Sequence, residues 1–132
     1  MPKNNPLIEA ALNARHQAHA PYSNFKVGAA ILDETNQITI GANVESASYG
    51  LSCCAERVAI FKAITEGLTN FSALAIASDG GAAPCGACRQ VIAEYAAKAD
   101  ITLIDSNDPA LIRQTKIDEL LPNAFTSKDL SS

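Results

Sequence analysis

Three cysteines and a glutamate in two short motifs offer the most specific chemistry in this sequence. Cys54 and Glu56 lie within residues 51–57, Leu-Ser-Cys-Cys-Ala-Glu-Arg, and Cys85 and Cys88 follow in the motif Pro-Cys-Gly-Ala-Cys-Arg-Gln. Zinc prefers a tetrahedral set of nitrogen and sulfur ligands, and a catalytic zinc keeps three protein ligands and one open position. Three thiols with a spare carboxylate therefore favour a catalytic metal site over a closed structural site, which normally has four protein ligands.

Glu56 has a definite use beside such a metal. Zinc lowers the pKa of a bound water from about 16 to about 7, so that hydroxide is available at neutral pH. A glutamate next to that water can accept its proton and pass it to a substrate, which contributes about 10²–10⁴-fold to a rate. Because positions two apart on a helix point about 200° away from each other, Cys54 and Glu56 converge on one site only if Cys54 lies at the helix mouth.

Neighbouring residues raise two further questions about this site. Three thiolates on a divalent cation leave a net charge of minus one, which weakens the metal as a Lewis acid, so a positive side chain should lie close. Arg57 is the first candidate because it flanks the Cys-Ala-Glu sequence, and Arg89 is the second. Cys53 is either the ligand in place of Cys54 or a buried structural thiol, a common role for free cysteine. The residues alone leave that choice open.

Strands alternate with helices along the chain and must position these motifs. Apolar periodicity and capping residues predict helices over residues 5–19, 53–66, 85–98 and 118–121. Short apolar runs bounded by turn residues predict strands, the first two forming a hairpin, over residues 26–32, 37–42, 71–77 and 101–104. The order indicates a layered α/β domain. Both cysteine motifs lie at helix starts, where free N–H groups and the helix dipole favour anionic ligands.

Length, composition and charge limit the class of protein. The 132 residues predict one domain over 1–132, and 48% hydrophobic but only 5% aromatic residues predict an alanine-rich core with tight contacts between elements. A net charge of -4 without a basic run argues against a nucleic-acid partner. No stretch approaches the roughly 20 apolar residues of a membrane span, and residues 1–20 lack the apolar block of a signal peptide. We therefore expect a cytoplasmic protein with reduced, metal-binding cysteines.

The two motifs resemble the signature of the zinc-dependent nucleoside and nucleobase deaminases, in which a glutamate that is not a ligand follows the first metal ligand. The resemblance to the small cytidine deaminases of that group extends over roughly residues 20–125. The other matching segments are Tyr-Ser-Asn-Phe-Lys-Val-Gly-Ala at 22–29, Asn-Val-Glu at 43–45, Ala-Ser-Tyr-Gly at 47–50, Phe-Lys-Ala at 61–63, and Glu-Leu-Leu-Pro at 119–122 with Phe125. Ser46, where the pattern usually has Asn, and Cys53 depart from it.

The resemblance implies a role for each residue of the site. It assigns zinc to Cys54, Cys85 and Cys88, which decides against Cys53, and it assigns proton transfer to Glu56. The implied substrate contacts are ribose hydrogen bonds from Asn43 and Glu45, packing on the pyrimidine by Phe25 and Phe125, and closure of the pocket by the backbone around Ala55 and by Tyr49. Phe125 and Tyr49 would come from neighbouring subunits, because the family is typically a homotetramer with shared sites. The implied fold is a three-layer α/β/α arrangement around a mixed five-stranded sheet.

The activity that the resemblance implies is hydrolytic deamination of cytidine and 2′-deoxycytidine to uridine and 2′-deoxyuridine, a step of pyrimidine salvage. The negative charge of Glu45 would repel a 5′-monophosphate and so favours a nucleoside. Ser46 prompts one alternative, a deaminase of a modified or antibiotic cytosine nucleoside such as blasticidin S. A more remote alternative is a binding module with a structural zinc, but adjacent Cys53 and Cys54 would rarely both reach one tetrahedral ion. The sequence leaves the preference between cytidine and deoxycytidine open.

Overall fold

A mixed five-stranded sheet with helices on both faces forms the framework, in a computed structural model that describes residues 5–130. The strands are β1 (Gly28–Leu32), β2 (Ile38–Ala42), β3 (Ala73–Ser78), β4 (Asp100–Asp105) and β5 (Ile112–Thr115). The helices are α1 (Pro6–Ala14), α2 (Ala55–Thr65), α3 (Gly86–Tyr95) and α4 (Ile117–Leu120). The strand order is β2-β1-β3-β4-β5, with β3 and β4 parallel and the other neighbours antiparallel.

Successive side chains of the strands point to opposite faces and form two apolar layers. On one face, Ala29 and Ile31 of β1 join a cluster with residues of α2 and α3. On the other face, Ala30 packs with Leu7 and Ile8 of α1. The sheet therefore lies between α1 on one side and α2 and α3 on the other, which confirms the three-layer α/β/α arrangement.

Two glycines allow helices to approach the sheet very closely. A Cβ atom on Gly28 would lie 2.2 Å from the carbonyl oxygen of Ala11 in α1, and one on Gly41 would lie 2.4 Å from the backbone nitrogen of Ala59 in α2. Such distances are far inside van der Waals contact, so no other residue fits at either position without moving a helix. Because Ala11 and Ala59 are fully buried, the prediction of an alanine-rich core with tight contacts is confirmed.

The first helix ends earlier than the sequence predicts. It stops at Ala14 and is followed by a single 3₁₀ turn over Arg15–Gln17, not by helix to residue 19. His19 is instead extended, because its N–H donates to the carbonyl of Asn43 (2.9 Å) and its carbonyl accepts from the N–H of Glu45 (2.8 Å). This pairing replaces the last turn of the helix and fixes the backbone around residues 43–45.

The fifth strand, β5, is the element that the pattern of residues did not locate. Its four residues pair with β4, but Arg113 and Gln114 are exposed and the segment has little apolar character. A short polar edge strand is defined by its partner more than by its own residues. Apart from the end of α1, the other elements are found where predicted, with ends shifted by at most three residues. No helix among residues 5–130 is long and apolar enough to span a bilayer.

Candidate metal centre and substrate cleft

The three cysteines of the motifs meet where two helices begin. Cys54 is the N-cap of α2, Cys85 is the N-cap of α3, and Cys88 lies in the first turn of α3. The Sγ atoms of Cys54 and Cys85 are 3.6 Å apart, those of Cys85 and Cys88 are 3.4 Å apart, and all three lie within 4.8 Å of one another. Zinc–sulfur bonds of about 2.3 Å in a tetrahedral site place two sulfurs about 3.8 Å apart. The three thiols therefore fit one zinc ion that keeps a fourth position open.

The start of each helix leaves these thiols free to bind a metal. Neither Cys54 nor Cys85 uses its side chain to cap its own helix, and both have extended backbone. Hydrogen bonding with Cys88, and then with Arg57 and Cys85, lowers the pKa of Cys54 to about 5, in spite of its partial burial. A thiol with a low pKa is available as the thiolate that metals bind.

Cys53 lies outside this cluster. Its backbone forms a bridge with Val44, in which the Cys53 N–H donates to the Val44 carbonyl at 2.9 Å and the reverse bond is 3.0 Å long. Burial raises the pKa of the Cys53 thiol, in contrast to that of Cys54. The geometry supports the assignment of the first ligand to Cys54.

Glu56 lies beside the thiols and is almost completely buried. Its exposed fraction is 4%, and burial raises its pKa to about 7. Because Cys54 is the N-cap and precedes the first helical residue, both Cys54 and Glu56 line the same cleft. Cys54 therefore lies at the start of the helix, as its convergence with Glu56 on one site requires. A carboxyl group with a pKa near neutrality can both accept and return a proton.

The two arginines of the motifs have different surroundings. A terminal nitrogen of Arg57 (Nη2) lies 3.6 Å from the Sγ of Cys54, which places a positive charge against the thiol cluster. Arg89 instead donates to the carbonyls of Pro84 and Leu120, each at 2.7 Å, and so ties α3 to the end of α4. Arg57 is thus placed to offset thiolate charge, whereas Arg89 holds neighbouring backbone.

A cleft of about 420 Å³ opens over this cluster, a volume typical of small-molecule sites. We call its first side the thiol wall, made of Cys54, Glu56, Arg57 and Cys85. A second part of the lining, the loop wall, is made of residues 22–27 and 43–45, of which Ser23, Phe25, Val27, Asn43, Val44 and Glu45 line the cleft. Ile76 and Ser78 of β3 also line the cleft.

Asn43 and Glu45, the predicted ribose ligands, also hold the loop that faces them. The Asn43 side chain accepts from the Val27 N–H at 2.9 Å and donates to the Phe25 carbonyl at 2.8 Å. One carboxylate oxygen of Glu45, Oε1, accepts from the N–H groups of Tyr22 (3.0 Å) and Ser23 (3.1 Å). The amide keeps one further donor and one acceptor site, and the carboxylate keeps acceptor capacity, so substrate contacts remain available.

The aromatic residues assigned to the substrate are not all in one place. Phe25 and Tyr49 line the cleft, and Tyr49 is 77% exposed. Tyr49 thus contributes to the cleft of its own chain, whereas the resemblance led us to expect it from a neighbouring subunit. Phe125 is 58% exposed and is not among the described residues that line the cleft. Ala55 is fully buried as the first residue of α2 and is not among those residues either.

Three serines line the cleft that the sequence analysis did not single out, namely Ser23, Ser52 and Ser78. The Ser78 hydroxyl accepts from the Ala82 N–H at 2.9 Å and orders the loop before α3. Ser52 accepts from the Ser46 N–H at 2.9 Å and orders the loop after the loop wall. The sequence did point to Ser23 through the segment 22–29 that matches the deaminase family. Its partner Glu45 is 22 positions away, so the contact between them was not visible in the sequence.

Comparisons with known proteins agree with this site. A model of the family described as "Cytidine and deoxycytidylate deaminase zinc-binding region" matches residues 1–103, which include all three clustered cysteines and Glu56. A "Cytidine deaminase" of Sporosarcina psychrophila is 46% identical over 127 residues, which cover 95% of this chain and 93% of that protein. The crystal structure of cytidine deaminase from Burkholderia pseudomallei has a TM-score of 0.83 and 47% identity, covering 90% of this chain and 96% of that one. A "Blasticidin-S deaminase" of Bacillus cereus is 31% identical over 110 residues, 76% of each chain.

Proposed function

Because the chain belongs to the cytidine and deoxycytidylate deaminase family, we propose that it hydrolyses the 4-amino group of cytidine and 2′-deoxycytidine. Water is consumed, and the products are uridine or 2′-deoxyuridine and ammonia. The observation that carries the proposal is the meeting of three thiols beside the buried Glu56, with Cys54, Cys85 and Glu56 lining a cleft of nucleoside size. We also propose that residues 1–132 form one catalytic domain.

Cys54, Cys85 and Cys88 are the residues that would hold the zinc ion. Their sulfur separations of 3.4 and 3.6 Å and the softness of sulfur as a ligand fit this metal. When bound, zinc supplies a Lewis acid and lowers the pKa of a water molecule. Arg57 offsets part of the negative charge of the thiolates, which preserves the acidity of the metal.

Glu56 is the proton carrier in the proposed reaction. Its carboxylate accepts a proton from the attacking water as the C4–O bond forms, and delivers it to N3 of the pyrimidine. It then accepts the proton of the new C4 hydroxyl and delivers it to the 4-amino group, so that the C4–N4 bond breaks, the C4 carbonyl forms and ammonia leaves. Burial at 4% exposure keeps bulk water from competing for that proton, and the raised pKa suits both transfers.

The loop wall binds the nucleoside. Asn43 and Glu45 hydrogen-bond the ribose hydroxyls through the donor and acceptor sites that the loop leaves available. Phe25, which is 41% exposed, packs on the pyrimidine. Stacking of a base on an aromatic ring is worth about 1–3 kcal/mol in nucleic-acid-binding proteins. The charge of Glu45 disfavours a 5′-phosphate, so the substrate class is the nucleoside.

We also propose a homotetramer in which neighbouring subunits complete each site. Large apolar side chains that one chain leaves exposed support this, since Tyr49, Leu51 and Leu130 are more than three-quarters exposed. Phe125 lies outside its own cleft and is therefore available to a neighbouring one. Light scattering of the purified protein tests this proposal, and a monomer would contradict it. The cytoplasmic location and the absence of a nucleic-acid or membrane partner stay predictions from the sequence.

Deamination of cytidine, followed by ultraviolet absorbance, tests the proposed function when zinc is quantified in the same sample. Turnover with about one zinc per chain is expected. Turnover without zinc would overturn the metal assignment, and zinc without turnover would overturn cytidine as the substrate.

The antibiotic alternative has one observation in its favour, the similarity to a blasticidin-S deaminase. Ser46, which prompted this alternative, is not among the described residues that line the cleft. Its hydrogen bonds are to Ser48 and Ser52. A panel of cytosine nucleosides that includes blasticidin S separates the two. An enzyme specific for the antibiotic would barely turn over cytidine.

A further inference from the structure

The Ser23 hydroxyl connects two residues of the proposed substrate site. It donates a hydrogen bond to the second carboxylate oxygen of Glu45, Oε2, and it accepts one from the Phe25 N–H at 3.0 Å. The Ser23 N–H also donates to the first carboxylate oxygen of Glu45 at 3.1 Å. One residue thus holds both oxygens of the carboxylate that we assign to the sugar.

The direction of the hydroxyl proton follows from these contacts. A serine hydroxyl has one donor and can turn freely unless its acceptor side is engaged. Because the Phe25 N–H points at the oxygen, the proton is left for the Glu45 carboxylate. Hydrogen bonds to charged groups are roughly twice as strong as neutral ones, and this one is the largest cause of the lowered pKa of Glu45. The carboxylate is therefore held both in position and in its charged form.

The loop that carries Ser23 is held mainly by hydrogen bonds to other segments of the chain. Residues 22–27 contain no helix or strand, and Asn24 has a left-handed backbone with φ of 59°. Asparagine tolerates this conformation better than most residues. Contacts to Glu45 and Asn43 supply the hydrogen bonds that a regular element would make internally.

We propose that Ser23 is a positioning residue for nucleoside recognition, which directs the Glu45 carboxylate toward the sugar hydroxyls without itself contacting the substrate. The inference rests on the proposed function, since it concerns how that function selects a sugar. Ser23 acts through Glu45, so its effect depends on the hydroxyls that Glu45 binds.

Comparing cytidine with a nucleoside that lacks the 2′- and 3′-hydroxyls isolates the effect of Ser23 on Glu45. Ser23→Ala removes the hydroxyl, and we expect kcat/KM for cytidine to fall about tenfold, the size of one hydrogen bond to a charged group. The loss should lie mainly in KM, because the contact to the sugar is made equally in ground state and transition state. On 2′,3′-dideoxycytidine, which lacks both hydroxyls, wild type and variant should differ less than about twofold, because the affected partner is missing.

Three companion variants make the result specific. Ser23→Thr keeps the hydroxyl and should restore most of the activity on cytidine. Ser72→Ala, a change of the same type at an exposed position remote from the cleft, should behave as wild type. Combined with Glu45→Gln, Ser23→Ala should add little further loss, because both changes remove the same interaction.

The outcomes are distinguishable. An equal loss on cytidine and on dideoxycytidine, or additive effects with Glu45→Gln, would show that Ser23 acts on the loop in general and would overturn the inference. No loss on cytidine would overturn it as well. A wild-type protein that turns over neither nucleoside would overturn the proposed function, and the inference with it.

Discussion

The two walls of the cleft are built in different ways. On the thiol wall, the proposed metal ligands and Glu56 lie at the N-caps and in the first turns of α2 and α3, and the helices themselves fix the backbone. On the loop wall, residues 22–27 have no regular secondary structure and are ordered by side chains that reach across from residues 43–45. One wall is positioned by local backbone hydrogen bonds, and the other by contacts between distant parts of the chain.

This difference determines whether a side chain has a structural role in addition to its proposed role in catalysis or binding. Cys54 and Glu56 are placed by their helix and remain free for chemistry, so changing them should affect the reaction and leave the fold largely intact. Asn43 and Glu45 both hold residues 22–27 and are the proposed ligands of the sugar. Changes on the loop wall should therefore alter stability and substrate binding together.

The largest effect is expected from the loss of a ligand on the thiol wall. In Cys54→Ser, a hard hydroxyl replaces a soft thiolate, and both bound zinc and turnover should be lost. Cys53→Ser is the matched control, since Cys53 lies outside the cluster, and it should keep about one zinc per chain. Zinc analysis measures the bound metal and the absorbance assay measures turnover, and each is applied to both variants. Loss of zinc in Cys53→Ser with retention in Cys54→Ser would reverse the assignment of the first ligand.

Glu56→Gln should separate metal binding from proton transfer. The amide cannot carry the proton, so we expect turnover to fall by about 10²–10⁴-fold, while zinc stays near one per chain. Because the side chain is buried with a pKa near 7, replacing it with a neutral isostere should not lower the melting temperature. Zinc content, turnover and thermal unfolding are measured on one preparation. Wild-type turnover in this variant would remove Glu56 from the mechanism.

The two arginines allow a comparison of charge and structure. Arg57→Ala removes the positive charge beside Cys54, and turnover should fall by about 10- to 100-fold with zinc retained. Arg89→Ala leaves the carbonyls of Pro84 and Leu120 without their donor. It should lower the free energy of unfolding by about 2 kcal/mol and change turnover less. Urea unfolding and steady-state kinetics test both, and the reverse pattern would exchange the two roles.

The smallest but most informative effect is expected on the loop wall. Asn43→Ala leaves the Val27 N–H and the Phe25 carbonyl without their partner. The free energy of unfolding should fall by about 1–3 kcal/mol, and KM should rise in the same variant. Chemical denaturation and kinetics are the measurements. A raised KM with unchanged stability would show that the amide serves the substrate alone, and that the walls are more alike than their contacts indicate.

Most of the thiol wall was predictable because its two motifs are local. The spacing between Cys85 and Cys88 and the position of Cys54 before a helical pattern required no knowledge of distant contacts. The choice of Cys54 over Cys53, and its meeting with Cys85 across 31 positions, were implied by the family resemblance, and the cluster confirms the meeting. The helices and four of the strands were also predictable from local patterns. The end of α1 was not predictable, because His19 pairs with residues 43–45 instead of continuing the helix. The β5 strand was missed for a related reason, since its polar residues depend on pairing with β4.

The ordering of patterns along the chain was enough to indicate a layered α/β fold, a zinc-binding thiol set and a carboxylate beside it. The fold class, the Cys85–Cys88 pair and the Cys54–Glu56 pair depend on residue type and on spacings of a few positions, which the backbone of a helix converts directly into geometry. That the two pairs meet was implied by the family resemblance. The hydrogen bonds of Ser23 with Glu45, of Val27 with Asn43 and of Arg89 with Leu120 join residues that are 16 to 31 positions apart. Such pairs form only when folding brings their elements together, so the tertiary structure was needed to identify them.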